Sequence, residues 1–372
     1  MSVRSFAVVL ALGLLVGVSI VQSAGAARHP CLVSNERTKM VSRSLQQAID
    51  AAAAEDTLLV KGTCFGASLI TKDLTLQGVS SKQFGVATLD GGDSADTVLF
   101  IGAFDQLTVA IDDLTITHGG AGILADGLFR STVSLTRTIV SNNGGSGIVG
   151  DPASVILIDS TVSGNAAAGI TGDRSDFGLL RSDVRDNGGF GVGLGNGSVS
   201  VEDSTVSGNE LGGIGVAGEF GDAIVSGSTV SDNHGPGIQL FGTTLTLTNS
   251  SVSGNTTSGS GGGIFAFEGN GYLTNSTVRG NTAGQNGGGI YMAPGSFTLN
   301  NSTVSGNTAG ANGGGIYLTG AQSGVALTDS TVTGNTATSG GGIFNDAGLV
   351  TLIGTNTFFD NVPEDCVGVA GC

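Results

Sequence analysis

The sequence contains no tryptophan and only 5 prolines, and its charged fraction of 12% is about half the usual share for a soluble domain. Lysine disappears after Lys82, and beyond Arg185 the only strong base is Arg279. With Lys+Arg 14 against Asp+Glu 30 and a formal net charge of −16, the chain lacks the basic footprint that nucleic-acid phosphates demand, so nucleic acid is excluded as a partner. Its 4 cysteines form no Cys-x-x-Cys pair, and His29, His118 and His234 are too scattered to nominate a zinc site. The 66 glycines show no three-residue period, which excludes collagen. Leu, Ile and Val recur throughout, which argues against disorder.

Long apolar runs are confined to the start. Phe6 to Val21 follows Arg4 and precedes Ala24-Gly25-Ala26, the pattern of a secretory signal over residues 1–27. That run is short for a membrane span, and no later segment approaches one, so a secreted or cell-surface chain with no span is expected. Such a destination suits disulfides. Cys31 and Cys64 bracket the N-terminal region and Cys366 and Cys372 the C-terminal end; of three possible pairings, nearness favours Cys31–Cys64 and Cys366–Cys372.

An internal repeat dominates from residue 133. The phrase Ser-Thr-Val-Ser-Gly-Asn, or a near copy, ends at Asn143, Asn165, Asn187, Asn209, Asn233, Asn255, Asn281, Asn307, Asn335 and Asn361, at spacings of 22 to 28 residues. Eight positions before each Asn stands an apolar residue, from Leu135 and Leu157 through to Ile353, and three before it a Val, replaced at the end by Phe358. A Gly-rich turn then leads to Ile148, Ile170, Val192, Ile214, Ile238, Ile264, Ile290, Ile316 or Ile343. Each repeat thus reads as three short strands with period-two alternation, unable to bury its apolar face alone. Stacked copies make an all-β, three-sheet parallel solenoid, right-handed by the usual chirality of parallel crossovers. Roughly a dozen coils at about 4.8 Å each give a rod near 60 Å long. The recurring Asn is expected at a corner needing φ > 0, with its amide bonded to the next Asn in a ladder.

Ends need covers. Ser44-Leu45-Gln46-Gln47 reads as a helical capping box, with Leu45, Ala48, Ile49, Ala52 and Ala53 on one apolar face, so residues 28–56 form an N-terminal cap. Residues 57–132 read as irregular first coils, 133–362 as regular coils, and 363–372 as a disulfide-closed C-terminal cap.

Ser44 to Val60, followed by regular coils, resembles bacterial members of the pectin lyase-like β-helix superfamily. The Gly-Gly-Gly-Ile segments at 261–264, 287–290 and 313–316, with Phe358-Phe359-Asp360-Asn361, resemble repeats of polymorphic outer-membrane proteins, a resemblance that implies an adhesive role.

Function must come from outward side chains. The position six before each Asn alternates in charge (Arg137, Asp159, Arg181, Asp203), with Asp183, Arg185, Asp186 and Glu202 beside it. This is either an exposed salt ladder or a sugar-acid or Ca²⁺ site, for which Arg181, Asp183, Arg185 and Asp203 are the catalytic candidates. Phe265, Tyr291, Tyr317 and Phe344 each follow an inward Ile, forming an outward stripe that would contact a glycan unless the lengthened turns beside it bury the rings. Outward Thr-x-Ser pairs such as Thr161/Ser163 and Thr205/Ser207 suggest, more distantly, an ice-binding face. The Arg-x-Lys motif of polygalacturonase-like hydrolases cannot occur where Lys is missing. A non-catalytic module binding polysaccharide or surface glycan is therefore the expectation, without cofactor. The alternative is a polysaccharide lyase or glycoside hydrolase, with Ca²⁺ if so.

Overall fold

The computed structural model describes residues 30–372 except 103, 219 and 220; the leader read over residues 1–27 lies outside them. The alternation becomes strands throughout, wound as a right-handed parallel β-helix with three strand stacks. Each coil has a first strand (Ile170–Asp173, for example), a second (Asp176–Leu180) and a third (Asp183–Arg185). The third stack holds 13 strands in strict coil order. In four coils the first and second strands run on without a break, as in Ile123–Thr136 and Ile290–Asn300.

Copies lie in register. Ile148 pairs with Ile170, which pairs with Val192; Leu157 pairs with Leu179; Val140 with Val162 and Val162 with Val184. All of these side chains are at most 2% exposed. Burying each contributes about 1.5–3 kcal/mol, so the repeated pattern is itself the source of stability. The last coil departs from the expected register. Leu352, not Ile353, stands opposite Leu327 and points inward, while Ile353 is 51% exposed. The corner Gly354-Thr355-Asn356 is one residue longer than Asp329-Ser330, which shifts the apolar position by one.

Two buried ladders tie the corners. Each ladder Asn donates Nδ2 to the Oδ1 of the next, as in Asn165 to Asn187 at 2.9 Å and Asn281 to Asn307 at 3.0 Å. The left-handed backbone does not fall on these residues, as expected from the sequence, but one position earlier, on Asn142 (φ 55°), Asp186 (φ 56°) and Asp232 (φ 56°), with Gly in most other copies. The ladder Asn is held by its amide bonds, and the turn itself by its neighbour. The second ladder is of serine. Ser182, Ser204, Ser228, Ser250 and Ser276 each accept the backbone N–H of the preceding ladder residue on Oγ, at 2.9–3.2 Å.

The N-terminal end is closed by the helix Leu45–Ala51, whose Leu45, Ala48 and Ile49 are buried; Ala53, expected on that face, is exposed because the helix stops before it. Ser44 Oγ accepts the N–H of Gln47, and Lys72 Nζ donates to the carbonyls of Ile49 and Ala52 at the helix end. Asp56, 4% exposed, binds Arg37 and Asn35 and accepts the N–H of Ala53. The Arg37 and Asn35 hydrogen bonds hold its carboxyl well below the ordinary carboxylate range. Cys31 is bonded to Cys64 and Cys366 to Cys372.

Candidate functional site

The charged corner row is a set of separate pairs. Arg181 grips Asp159, one coil earlier, through Nε at 2.7 Å and Nη2 at 3.0 Å, and Arg137 grips Asp113 in the same way at 2.7 Å. The corner residues take left-handed backbone (Arg137 φ 48°, Asp159 φ 50°, Arg181 φ 48°, Asp203 φ 48°), which turns successive side chains outward along one line. The arginine hydrogen bonds lower the pKa of Asp113 and of Asp159. Asp183 and Arg185 sit elsewhere, exposed on the third stack, where Arg185 pairs with its own neighbour Asp186 at 2.7 Å. Arg181, Asp183, Arg185 and Asp203 are thus divided between a corner and a strand face, with Arg181 engaged by Asp159.

The aromatic row is a ladder as well. Phe265, Tyr291, Tyr317 and Phe344 are in register, with ring centroids 5.1, 5.5 and 5.6 Å apart and planes within 17° of parallel. Ring faces therefore point along the axis and cover one another, leaving edges and the tyrosine hydroxyls for any ligand. The lengthened turns carry a small sheet of their own (Thr256–Thr257, Thr282–Ala283, Thr308–Ala309) and close over the ring bases. At Gly313 (φ +65°) a Cβ would stand 2.7 Å from that of Tyr317, which is 9% exposed. Burial raises the pKa of the Tyr291 hydroxyl.

A trough adjoins this ladder on the same sheet. Along the outward column that holds the rings, Thr171 is followed by Gly193 and Gly215 before Gln239 and Phe265 restore side chains. In the next outward column Gly195 and Ala217 precede Phe241. Two coils therefore lack bulk in both columns, leaving a recess of 340 Å³ bordered by Thr171, Phe190, Leu194, Val216, Gln239 and Phe241. That volume lies within the ordinary range for small-ligand sites. Phe190, the first residue of the strand Phe190–Gly195, lies against its glycine floor: a Cβ at Gly215 would stand 3.2 Å from its Cε1. Phe241 is 40% exposed and its ring is 5.7 Å from Phe265, tilted 53°, so the trough runs into the ladder. Beyond the other end, Asp173 is held by Arg174 and Asn196. The trough was not foreseen from the sequence, because it is made of missing side chains. The signal was the pair of glycines following Val192 and Ile214.

Other faces are plainer. Thr161, Ser163, Thr205 and Ser207 point outward and half-exposed on the third stack, a row interrupted by Asp183 and Arg185. His118 Nδ1 lies 3.3 Å from Asp90 Oδ2, beside an open polar recess bordered by Asp93, Ser94, Asn142 and Asn143. Among the described residues no His, Cys, Asp and Glu cluster is suited to hold a metal ion, and no helix is long and apolar enough to cross a membrane.

The parallel coils, paired ladders and capped start define a β-helix of the pectin lyase-like kind. The family model described as "Right handed beta helix region" matches residues 91–227, 171–337 and 215–370, and the chain belongs to that family. No curated protein matches it in sequence. Among solved structures, the Azotobacter vinelandii mannuronan C-5 epimerase AlgE4 A-module is similar over 84% of this chain and 94% of its own, at 17% identity and a TM-score of 0.55. A mutant of the periplasmic alginate epimerase AlgG is similar over 90% of this chain and 95% of its own, at 12% identity and a TM-score of 0.50. At these identities the likeness is one of fold.

Proposed function

We propose that this chain is an exported, non-catalytic module that binds a polysaccharide or surface glycan along the trough and the aromatic ladder. The observation that carries it is the apolar recess between Thr171 and Gln239, floored by Gly193 and Gly215 and flanked by the rings of Phe190 and Phe241. A sugar ring offers a C–H face that suits an aromatic ring and hydroxyls that suit a polar rim, here Thr171 and Gln239. The tyrosine hydroxyls of the ladder extend the contact along the rod, in the direction a polymer would run. Both fold neighbours carry the name of a polysaccharide, which supports the ligand class.

The test is a panel of neutral and acidic polysaccharides, with and without Ca²⁺, scored for retention and for ultraviolet-absorbing unsaturated products. Retention that falls at least about 10-fold in Gly215→Val, Phe241→Ala and the Tyr291→Ala/Tyr317→Ala pair is the expected result. No retention on any polymer, or retention indifferent to Gly215→Val, would overturn the reading. A lyase or hydrolase is the second reading, favoured by the Asp90–His118 pair beside its polar recess; products that vanish in His118→Ala would establish it instead.

A further inference from the structure

The two ends of the rod differ. At the N-terminal end the helix Leu45–Ala51 and the antiparallel strands Leu32–Asn35 and Val41–Ser42 cover the first coil. At the other end the tail covers the first stack, where Cys366–Val367 pairs with Ile343 and Phe344 and Val369 packs on the core, while Val362 bridges Thr336 in the lengthened turn. The last second-stack strand, Leu349–Ile353, pairs on one side with Ser323–Thr328, and the last third-stack strand, Thr357–Phe359, on one side with Thr331–Thr333. Neither has a strand on its far edge among the described residues. The side-chain ladders are finished, Ser330 by Asn356 and Asn361 by Asp365. The core is not: Val350, Leu352 and Phe358 are half-buried where Val325, Leu327 and Val332 above them are at most 2% exposed.

We propose that this end is the interface of a symmetric dimer, in which a second copy stacks tail to tail and Leu349–Ile353 pairs antiparallel with itself about a two-fold axis at Thr351. The strand is self-complementary in that register. Val350 meets Leu352 of the other copy on the core side, Leu349 meets Ile353 on the outer side, and Thr351 meets itself. Because the axis runs from the strand toward the core, the core-side residues of the two strands face the same way. Leu349, Ile353 and Phe359 are 67%, 51% and 44% exposed, apolar surface concentrated at this end of the rod. Head-to-tail growth is blocked because the opposite end is covered, so association stops at two. Unpaired strand edges of this kind invite pairing. Asp346 and Asp360 lie at the same end and repel their copies, so association tightens as salt screens them.

Sedimentation velocity on the full chain, at low and high salt over a range of concentrations, reads the outcome against the 36.6 kDa monomer. A dimer that strengthens with salt is expected. Leu349→Lys and Ile353→Lys alter outward, exposed side chains, so circular dichroism stays that of the parent while dimer dissociation rises more than about 10-fold. Leu211→Lys, at another exposed apolar site, leaves the dimer intact. A new cysteine from Thr351→Cys forms an intermolecular disulfide on mild oxidation. A monomer at every concentration, growth beyond a dimer, or undiminished dimer in both lysine variants would overturn the proposal.

Discussion

Replacing Asn281 tests what the inner ladder contributes. Its Oδ1 accepts the backbone N–H of Asn255 at 3.0 Å and the amide of Asn255 at 2.9 Å, and its Nδ2 donates to Val252 O and to Asn307 Oδ1, both at 3.0 Å. Asn255 and Asn281 are fully buried, so no water replaces a lost partner. Asn281→Ala strands the Asn255 N–H, which costs about 1–3 kcal/mol, and removes three further bonds at about 0.5–1.5 kcal/mol each. Partial relaxation of the corner brings the expected loss to about 3–5 kcal/mol, read from guanidinium unfolding followed by circular dichroism. Asn281→Asp separates hydrogen bonding from shape. At neutral pH its carboxylate keeps the Asn255 bonds but faces Val252 O and Asn307 Oδ1 with nothing to donate, so the folded state favours protonation and the carboxyl pKa rises above the unfolded value. The deficit is then full above the folded pKa and shrinks as pH falls toward the unfolded one. Asn301→Gly is the control: an exposed corner asparagine with φ 48°, whose side chain donates to Asn275 at the surface, should cost under about 0.5 kcal/mol. If Asn281→Ala lies within about 0.5 kcal/mol of the parent, the ladder is not the tie between coils that the hydrogen bonds imply.

The remaining predictions concern the corners and the ends. Ser276→Ala leaves the N–H of Ser250 without its Oγ acceptor and should cost about 1–3 kcal/mol by the same unfolding assay. Arg181→Gln removes an exposed pair and should cost less than about 1 kcal/mol, vanishing in high salt. The pKa values of Asp56, Asp113 and Asp159 are lowered on folding, so their stabilisation is complete above the ordinary carboxylate pKa and is lost as pH falls through the folded values; thermal midpoints should hold at neutral pH and drop on acidification below about pH 4. Opening Cys31–Cys64, which closes a sequence separation of 33, should cost about 3–4 kcal/mol and show as early hydrogen exchange in Leu32–Asn35.

Strand positions were legible because inward Leu, Val and Ile recur at fixed offsets, and register follows once copies stack. The failures share a cause. Ile353 was misplaced because a corner one residue longer is invisible when counting back from Asn361. The serine ladder was present in eight of the ten copies of the repeated phrase, with Thr138 and Asn356 at its ends, yet Ser in a turn reads as turn chemistry until its Oγ is seen to accept the preceding coil's N–H. The stripe of Phe265, Tyr291, Tyr317 and Phe344 was legible as a row, but not that its ring faces would cover one another. Arg181, Asp183 and Arg185 are neighbours in sequence, with Asp203 one coil on, but the left-handed corner sends Arg181 back to Asp159 while Asp183 and Arg185 continue onto a strand. The trough depends on the ring of Phe190, at the start of its strand, lying over Gly193 and Gly215, a side-chain placement that no periodicity encodes.

Every surface described here follows from coils stacked one residue above its counterpart. Spin labels placed through Ser163→Cys and Ser305→Cys, half-exposed in the third stack and six coils apart along the chain of pairings, measure that directly. Pulsed electron–electron dipolar spectroscopy should give one narrow distance near 29 Å, six steps of about 4.8 Å. A broad distribution, or a distance that does not grow by about 4.8 Å when the second label is moved one coil on to Thr333, would contradict the stack.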